Sequence, residues 1–184
     1  SCGPLRRGDF IVVGARPDSG KTSFLASEAT YILSQLENEQ PIIWFNNEES
    51  GVKIKSRVVQ AGTGWNPDDI QADPLGALEE FEKQCGKLER MMIVDNASIS
   101  THIIDQMIKK SEPGLIIFDQ LWKVHGFHKE SANEVQRQTM LFNWGREISK
   151  KYAPVITVHQ CGGVAGGERW IPMEALYGSQ TGIQ

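Results

Sequence analysis

Gly20, Lys21 and Thr22 close a short polar loop in the run FIVVGARPDSGKT over residues 10–22, and together they suit the binding of a chain of phosphates. Phe10, Ile11, Val12 and Val13 have the composition of a buried β-strand, and Gly-Lys-Thr opens a helix. In such a loop a glycine lets the main chain come close, successive N–H groups turn inward, and the helix N-terminus adds the positive end of its dipole. Lys21 would reach the β- and γ-phosphates, and Thr22 would offer its hydroxyl to Mg²⁺. The strict pattern has glycine where Ala15 stands, with Gly14 one step earlier; alanine is small enough to fit. The expected nucleotide cradle is therefore Ala15, Arg16, Pro17, Asp18, Ser19, Gly20, Lys21, Thr22 and Ser23.

A magnesium–nucleotide site also needs a carboxylate at the end of an apolar strand. Asp95 ends MMIVD and Asp119 ends LIIFD. Asp95 runs into Asn96-Ala97-Ser98, where an Asp commonly makes a turn or cap. Asp119 follows the more hydrophobic run, so Asp119 and Thr22 are the expected metal ligands. Hydrolysis further needs a group that orients or deprotonates water. The residue after Asp119 is Gln120, so that group must come from another strand end, and Glu48-Glu49 is the source. Adjacent residues in extended chain point opposite ways; Glu48 is expected to face the nucleotide, with Glu49 the alternative. His159 and Gln160 close a third apolar run and could hydrogen-bond the γ-phosphate and report its loss.

These ends must be brought together by the elements between them. Phe24, Leu25, Ala29, Ile32, Leu33 and Leu36 recur at helical spacing to about residue 37. A second apolar run, 41–45, precedes a helix expected over about 50–61, with Ile54, Val58 and Val59 inward and Lys53, Lys55 and Arg57 largely outward. Residues 62–74 read as loop and 75–88 as a charged helix. Strands are expected at 91–95, 115–119 and 154–159, and helices near 102–110 and 132–151. Short apolar runs alternating with amphipathic helices predict an α/β fold, a mostly parallel sheet with helices on both faces and ligands at the carboxyl ends of the strands.

At 184 residues the chain is expected to form one domain with a substantial core. Its net charge of −4 excludes a uniformly basic nucleic-acid binder and leaves only local contacts. Cys2, Cys85 and Cys161 lack metal-ligand spacing and cannot all pair, which suits a reducing cytoplasm. No signal peptide or long apolar run points to a membrane. His102, His125 and His128 lack zinc spacing and read as surface residues; the last two add weak positive character to the loop 123–131.

Ala15-Arg16-Pro17-x-x-Gly20-Lys21-Thr22 resembles the phosphate loop of DnaB-type replicative helicases. Phe45-Asn46-Asn47-Glu48-Glu49-Ser50 resembles that family's strand-end glutamate motif, closest to the form in phage primase-helicases. Residues 115–119 are similar to its metal-binding strand, 154–160 to its phosphate-sensor strand, and 172–179 to the element after its second DNA loop. The resemblance implies a RecA-like P-loop core with strand order third, second, fourth, fifth, first. Family spacing makes Gln160 the sensor, with His159 the alternate. It also implies ATP or another NTP with Mg²⁺, a ring hexamer, and single-stranded DNA held by loops at 123–131 and 161–171, in which Lys123, Lys129 and Arg169 are the permanent cations. Family chains continue past the position of Gln184 with further strands, one carrying an arginine finger. Residues 1–184 are therefore expected to be one RecA-like ATPase domain excised from a longer protein, cytoplasmic, or in the host cytoplasm if phage-encoded. The expected activity is that of an ATP-hydrolysing helicase motor. The alternative is a RecA-like ATPase acting as an assembly or DNA-repair switch without unwinding. A small-molecule kinase would need an Arg-rich lid that nothing here resembles.

Overall fold

The computed structural model describes residues 4–37, 39–95, 99–126 and 134–161. Five strands form one sheet: β1 (Phe10–Ala15), β2 (Ile42–Asn46), β3 (Met91–Asp95), β4 (Leu115–Asp119) and β5 (Val155–Gln160), in the order β1-β5-β4-β2-β3. Every pairing is parallel, and this is the order that the resemblance implied, read from the other edge. Asn46 lies opposite both Asp119 and Asp95, and Ala15 opposite Gln160. The register thus gathers the expected site residues along one edge of the sheet.

The apolar runs are nearly continuous because both faces of the sheet are covered. On one face Ile42, Trp44, Leu115, Ile117, Ile156 and Val158 pack beneath α1 (Lys21–Leu33), α2 (Gly51–Thr63) and α4 (Pro74–Cys85). On the other, Ile43, Phe45, Ile116, Phe118 and Val155 meet α5 (Thr101–Ser111) and α6 (Glu134–Lys151), with Phe45 and Phe118 stacked at 5.1 Å. Side chains alternate along a strand. Continuing the first set by two residues puts Asn46, Asp119 and Gln160 on the face that carries α1.

Several elements differ from the sequence expectation, and the charged helix expected to residue 88 stops at Cys85. Helix α1 ends at Leu33 rather than near residue 37, where Ser34 Oγ donates to Tyr31 O at 2.7 Å and Leu36 turns in against Gly114. Residues expected as loop contain a short helix, α3 (Pro67–Ala72): the Asn66 side chain accepts from Asp69 N at 2.9 Å and Pro67 pre-sets the first turn. Asp73 repeats the device for α4, accepting from Gly76 N at 2.9 Å. Among the described residues no helix is long and apolar enough to cross a membrane.

Helices α2 and α4 approach closely at Gly62, where an added Cβ would meet the Phe81 ring at 2.5 Å and Cys85 Sγ at 3.0 Å. Gly62→Ala should therefore destabilise the protein by about 1–3 kcal/mol, although alanine is the better helix former. Chemical denaturation checks this; a more stable variant would mean that the two helices part at little cost.

Candidate active site

The phosphate loop joins β1 to α1, and its geometry follows from a few local contacts. Gly20 caps α1 at φ +81°, a left-handed conformation natural to glycine, and its carbonyl accepts from Phe24 N at 2.9 Å. Ser19 Oγ donates to Arg16 O at 2.6 Å and ties the loop across itself. Lys21 and Thr22 are buried in the first turn of α1. Asp18, Gly20, Lys21, Thr22 and Ser23 line one side of a cleft of about 240 Å³ whose other side is Glu48, Glu49 and Arg57.

Beneath this cleft Thr22 Oγ1 donates to Asp119 Oδ2 at 3.3 Å. Asp119 is fully buried, and its other oxygen, Oδ1, has no hydrogen-bond partner among the described residues. Burial pushes its carboxyl up to about 6, the charge of Glu48 adding to the rise and Thr22 and Lys21 opposing it. Asp95 is elsewhere: it stands on the outer strand β3, exposed, and accepts from Asn46 Nδ2 at 2.9 Å.

The two glutamates correct an expectation. Both line the cleft, because residues 47–49 bend away from β2 instead of continuing extended. Asn46 holds that bend: its Oδ1 accepts from Glu48 N at 3.2 Å and Glu49 N at 3.3 Å, and its Nδ2 donates to Glu49 O. The carboxylates then part by their partners. Glu48 accepts from Lys123 Nζ at 3.3 Å. Glu49 is clasped by Arg57, with Nη2 at 2.8 Å and Nε at 3.1 Å, and the same guanidinium donates to Ser23 Oγ at 3.1 Å. Periodicity places Arg57 largely outward; it instead bridges α2 to the start of α1. The available signal is its place beside the buried Ile54 and Val58, on the flank of the apolar stripe.

The turn after β4 is fixed as closely as the loop. Gln120 is fully buried at φ +69°, so it offers no surface to a cleft water. The Thr157 hydroxyl donates to Phe118 O at 3.0 Å and accepts from Leu121 N at 3.2 Å, bracketing Asp119 and Gln120 from β5. Asn47 Nδ2 donates to Gln120 O at 3.2 Å and ties this turn to the glutamate bend. The sequence does not single out Thr157 and names Asn46 only as part of the glutamate motif, since their work is done through main-chain groups.

At the end of β5, His159 is buried against Phe142, and burial lowers its imidazole below the ordinary histidine range. Gln160 is half-buried beside Ala15, where the phosphate loop begins. Of the two expected DNA loops, 123–126 and Cys161 are described. Lys129, His128, Arg169 and 172–179 lie outside the described residues.

Comparison with known proteins is consistent with this geometry. The family model for the DnaB-like helicase C terminal domain matches residues 2–162. A probable replicative DNA helicase of Trieres chinensis is 26% identical over 167 residues, covering 85% of this chain and 36% of the relative. A solved DnaB-like replicative helicase, described with its interactions with primase, superposes with TM-score 0.69 at 20% identity, over 92% of this chain and 43% of that one. A second solved structure, an ATPase domain, superposes with TM-score 0.72 at 19% identity, over 95% of this chain and 65% of that one. The chain thus spans about a third of the length of its curated relative.

The raised Asp119 carboxyl predicts a pH-dependent penalty. A buried acid whose folded value is about 6 rather than 3.8 binds its proton more tightly when folded, so stability falls as pH rises through that window. Asp119→Asn should therefore stabilise the ligand-free protein at neutral pH by up to about 2–3 kcal/mol, and the gain should vanish toward acid pH. Urea melts across the window test this; a gain that does not change with pH would mean the carboxylate carries no such penalty.

Proposed function

The chain belongs to the DnaB-like helicase C-terminal domain family, and we propose that it is the ATP-hydrolysing motor domain of a DnaB-like replicative helicase that moves along single-stranded DNA. The observation carrying this reading is the Thr22–Asp119 contact at the floor of a cleft that holds Lys21 on one wall and two glutamates on the other. A buried carboxylate with an oxygen free of donors among the described residues is suited to a hard cation, so Thr22 and Asp119 would hold Mg²⁺. The ion would supply charge neutralisation to the phosphates of ATP or another NTP.

The chain's own groups divide the remaining work. Loop N–H groups and the N-terminus of α1 bind the phosphates, and Lys21 offsets their charge. Glu48, which has no guanidinium clasp, orients and deprotonates the attacking water. Arg57 keeps Glu49 neutralised and fixed. Gln160, on the α1 face beside Ala15, senses the γ-phosphate, with His159 the alternate. The segments 123–131 and 161–171 would contact single-stranded DNA, and a ring hexamer in the cytoplasm would be the working assembly.

Lys21→Ala should abolish productive nucleotide binding, whereas Glu48→Gln should leave binding intact and lower hydrolysis about 10²-fold or more. Steady-state ATPase with and without single-stranded DNA, paired with nucleotide binding, measures both. Loss of hydrolysis in Glu49→Gln alone would transfer the base to Glu49; turnover indifferent to DNA would favour an assembly or repair switch. Gln160→Ala should keep basal turnover and lose the DNA response, and an unaltered response would remove its sensing role.

A further inference from the structure

The strand-end glutamate read above as the base is not free. Glu48 accepts from Lys123 Nζ at 3.3 Å, and the two side chains are 26% and 33% exposed, so the pair is open to competition from solvent and ligands. Lys123 belongs to the turn after β4, where Lys123 N donates to Gln120 O at 3.0 Å, only four residues beyond Asp119. Its main chain is fixed: Val124 is buried, and His125 O accepts from Thr101 N at 3.0 Å at the start of α5. The Lys123 side chain is therefore the adjustable part of an anchored segment.

That side chain has a second place to go. Lys123 lines a second cleft, of about 360 Å³, together with Asn47, Trp122, His125 and Arg137, none of which lines the phosphate-loop cleft. The cleft offers two permanent cations, a histidine and an indole, and Lys123 Nζ already sits 5.5 Å from the Trp122 ring. Cations beside an aromatic face are the chemistry of single-stranded nucleic acid, phosphates meeting the charges and a base meeting the ring. The same ammonium thus stands between a carboxylate of the nucleotide cleft and a site with the character of a strand-binding groove.

We propose that Lys123 is a latch on Glu48, and that a phosphate of single-stranded DNA entering the Trp122–Arg137 cleft draws the ammonium away and releases the carboxylate. This rests on the reading of Glu48 as the group that activates water. While latched, Glu48 has one oxygen committed to the lysine and is held toward the β4 turn, so fewer molecules present a lone pair to the water. Released, Glu48 keeps its main chain in place because the Asn46 cap holds it independently of Lys123, and only the carboxylate turns back toward the cleft. Lys123 is then a positioning residue whose effect falls on kcat and not on the KM for nucleotide. An exposed pair of this kind shifts an equilibrium by at most about fivefold, which sets the size of the effect.

The test is steady-state ATPase of the purified protein at low salt, with and without saturating oligo(dT), for wild type, Lys123→Ala, Lys123→Arg, Glu48→Gln and the Lys123→Ala/Glu48→Gln double variant. Lys123→Ala should raise DNA-free kcat about two- to fivefold with KM unchanged, and reduce the stimulation ratio by the same factor. Lys123→Arg should restore the low basal rate, and both Glu48→Gln forms should turn over at least about 10²-fold more slowly than wild type. Basal kcat unchanged or lowered in Lys123→Ala, with only more oligo(dT) required for stimulation, would overturn the latch while leaving the motor reading standing. Hydrolysis near the wild-type rate by either Glu48→Gln form, or wild-type turnover indifferent to oligo(dT), would overturn both.

Discussion

The hydrogen bond from Thr22 to Asp119 joins residues 97 positions apart in the chain, and it can form only if a particular topology brings them together. Thr22 stands at the start of α1 after the edge strand β1, whereas Asp119 ends the central strand β4. β5 lies between those strands, and parallel crossovers must carry α1 back over that face of the sheet. Burial then acts on the pair. Asp119 has no exposed surface, so its charge is costly unless something offsets it, and the threonine hydroxyl and Lys21 ammonium do so only in part. The protein keeps a carboxylate in a place that a purely structural residue would not occupy. Stability is given up there, a cost that the proposed cation would offset.

The surrounding charges fit the same constraint. Glu48 and Glu49 line the cleft above Asp119, and both raise the cost of ionising that buried carboxyl. Among the described residues three cations answer them: Lys21 at Asp119, Arg57 at Glu49 and Lys123 at Glu48. The answers are of different kinds. Arg57 grips Glu49 through two nitrogens in the planar geometry that makes arginine hard to displace. Lys123 makes a single contact through a compact ammonium on a flexible stem. Adjacent glutamates are thereby given partners of different kinds, which the sequence pair Glu48-Glu49 does not reveal.

The sheet is legible in the sequence because each strand is a nearly uninterrupted apolar run and four of the five end in a polar residue, Asn46, Asp95, Asp119 and Gln160; its order is what the family resemblance implies. Asp119 announces itself by ending such a run, and Lys21 by its place in the phosphate-loop motif. The glutamate bend escapes such reasoning, since the alternation rule holds for extended chain and Asn46 caps the strand just where the rule is applied. Arg57 is hidden for a related reason: periodicity assigns a flanking residue to solvent, and only the position of α2 against α1 shows that the guanidinium reaches Ser23. Helix α3 is readable from Asn66-Pro67 in principle, but six residues carry too little periodicity to outweigh a Gly- and Asp-rich setting. Local pattern reports which face is buried and says little about which polar groups meet across elements.

The turn after β4 is where these contacts become a single device. Asp119 faces the phosphate-loop side, and the next residue, Gln120, is turned through a left-handed conformation that redirects the chain toward Lys123. That conformation is unfavourable for a non-glycine residue, and it persists only where its surroundings over-determine it. Thr157 brackets it from β5 and Asn47 holds it from β2. The turn is thus tied to the strand that leads to Gln160 and to the bend that carries Glu48. Side chains on it can change partners while the main chain stays, so a shift of Lys123 need not disturb Asp119. The proposed release of Glu48 would therefore leave the Thr22–Asp119 contact beneath the cleft in place.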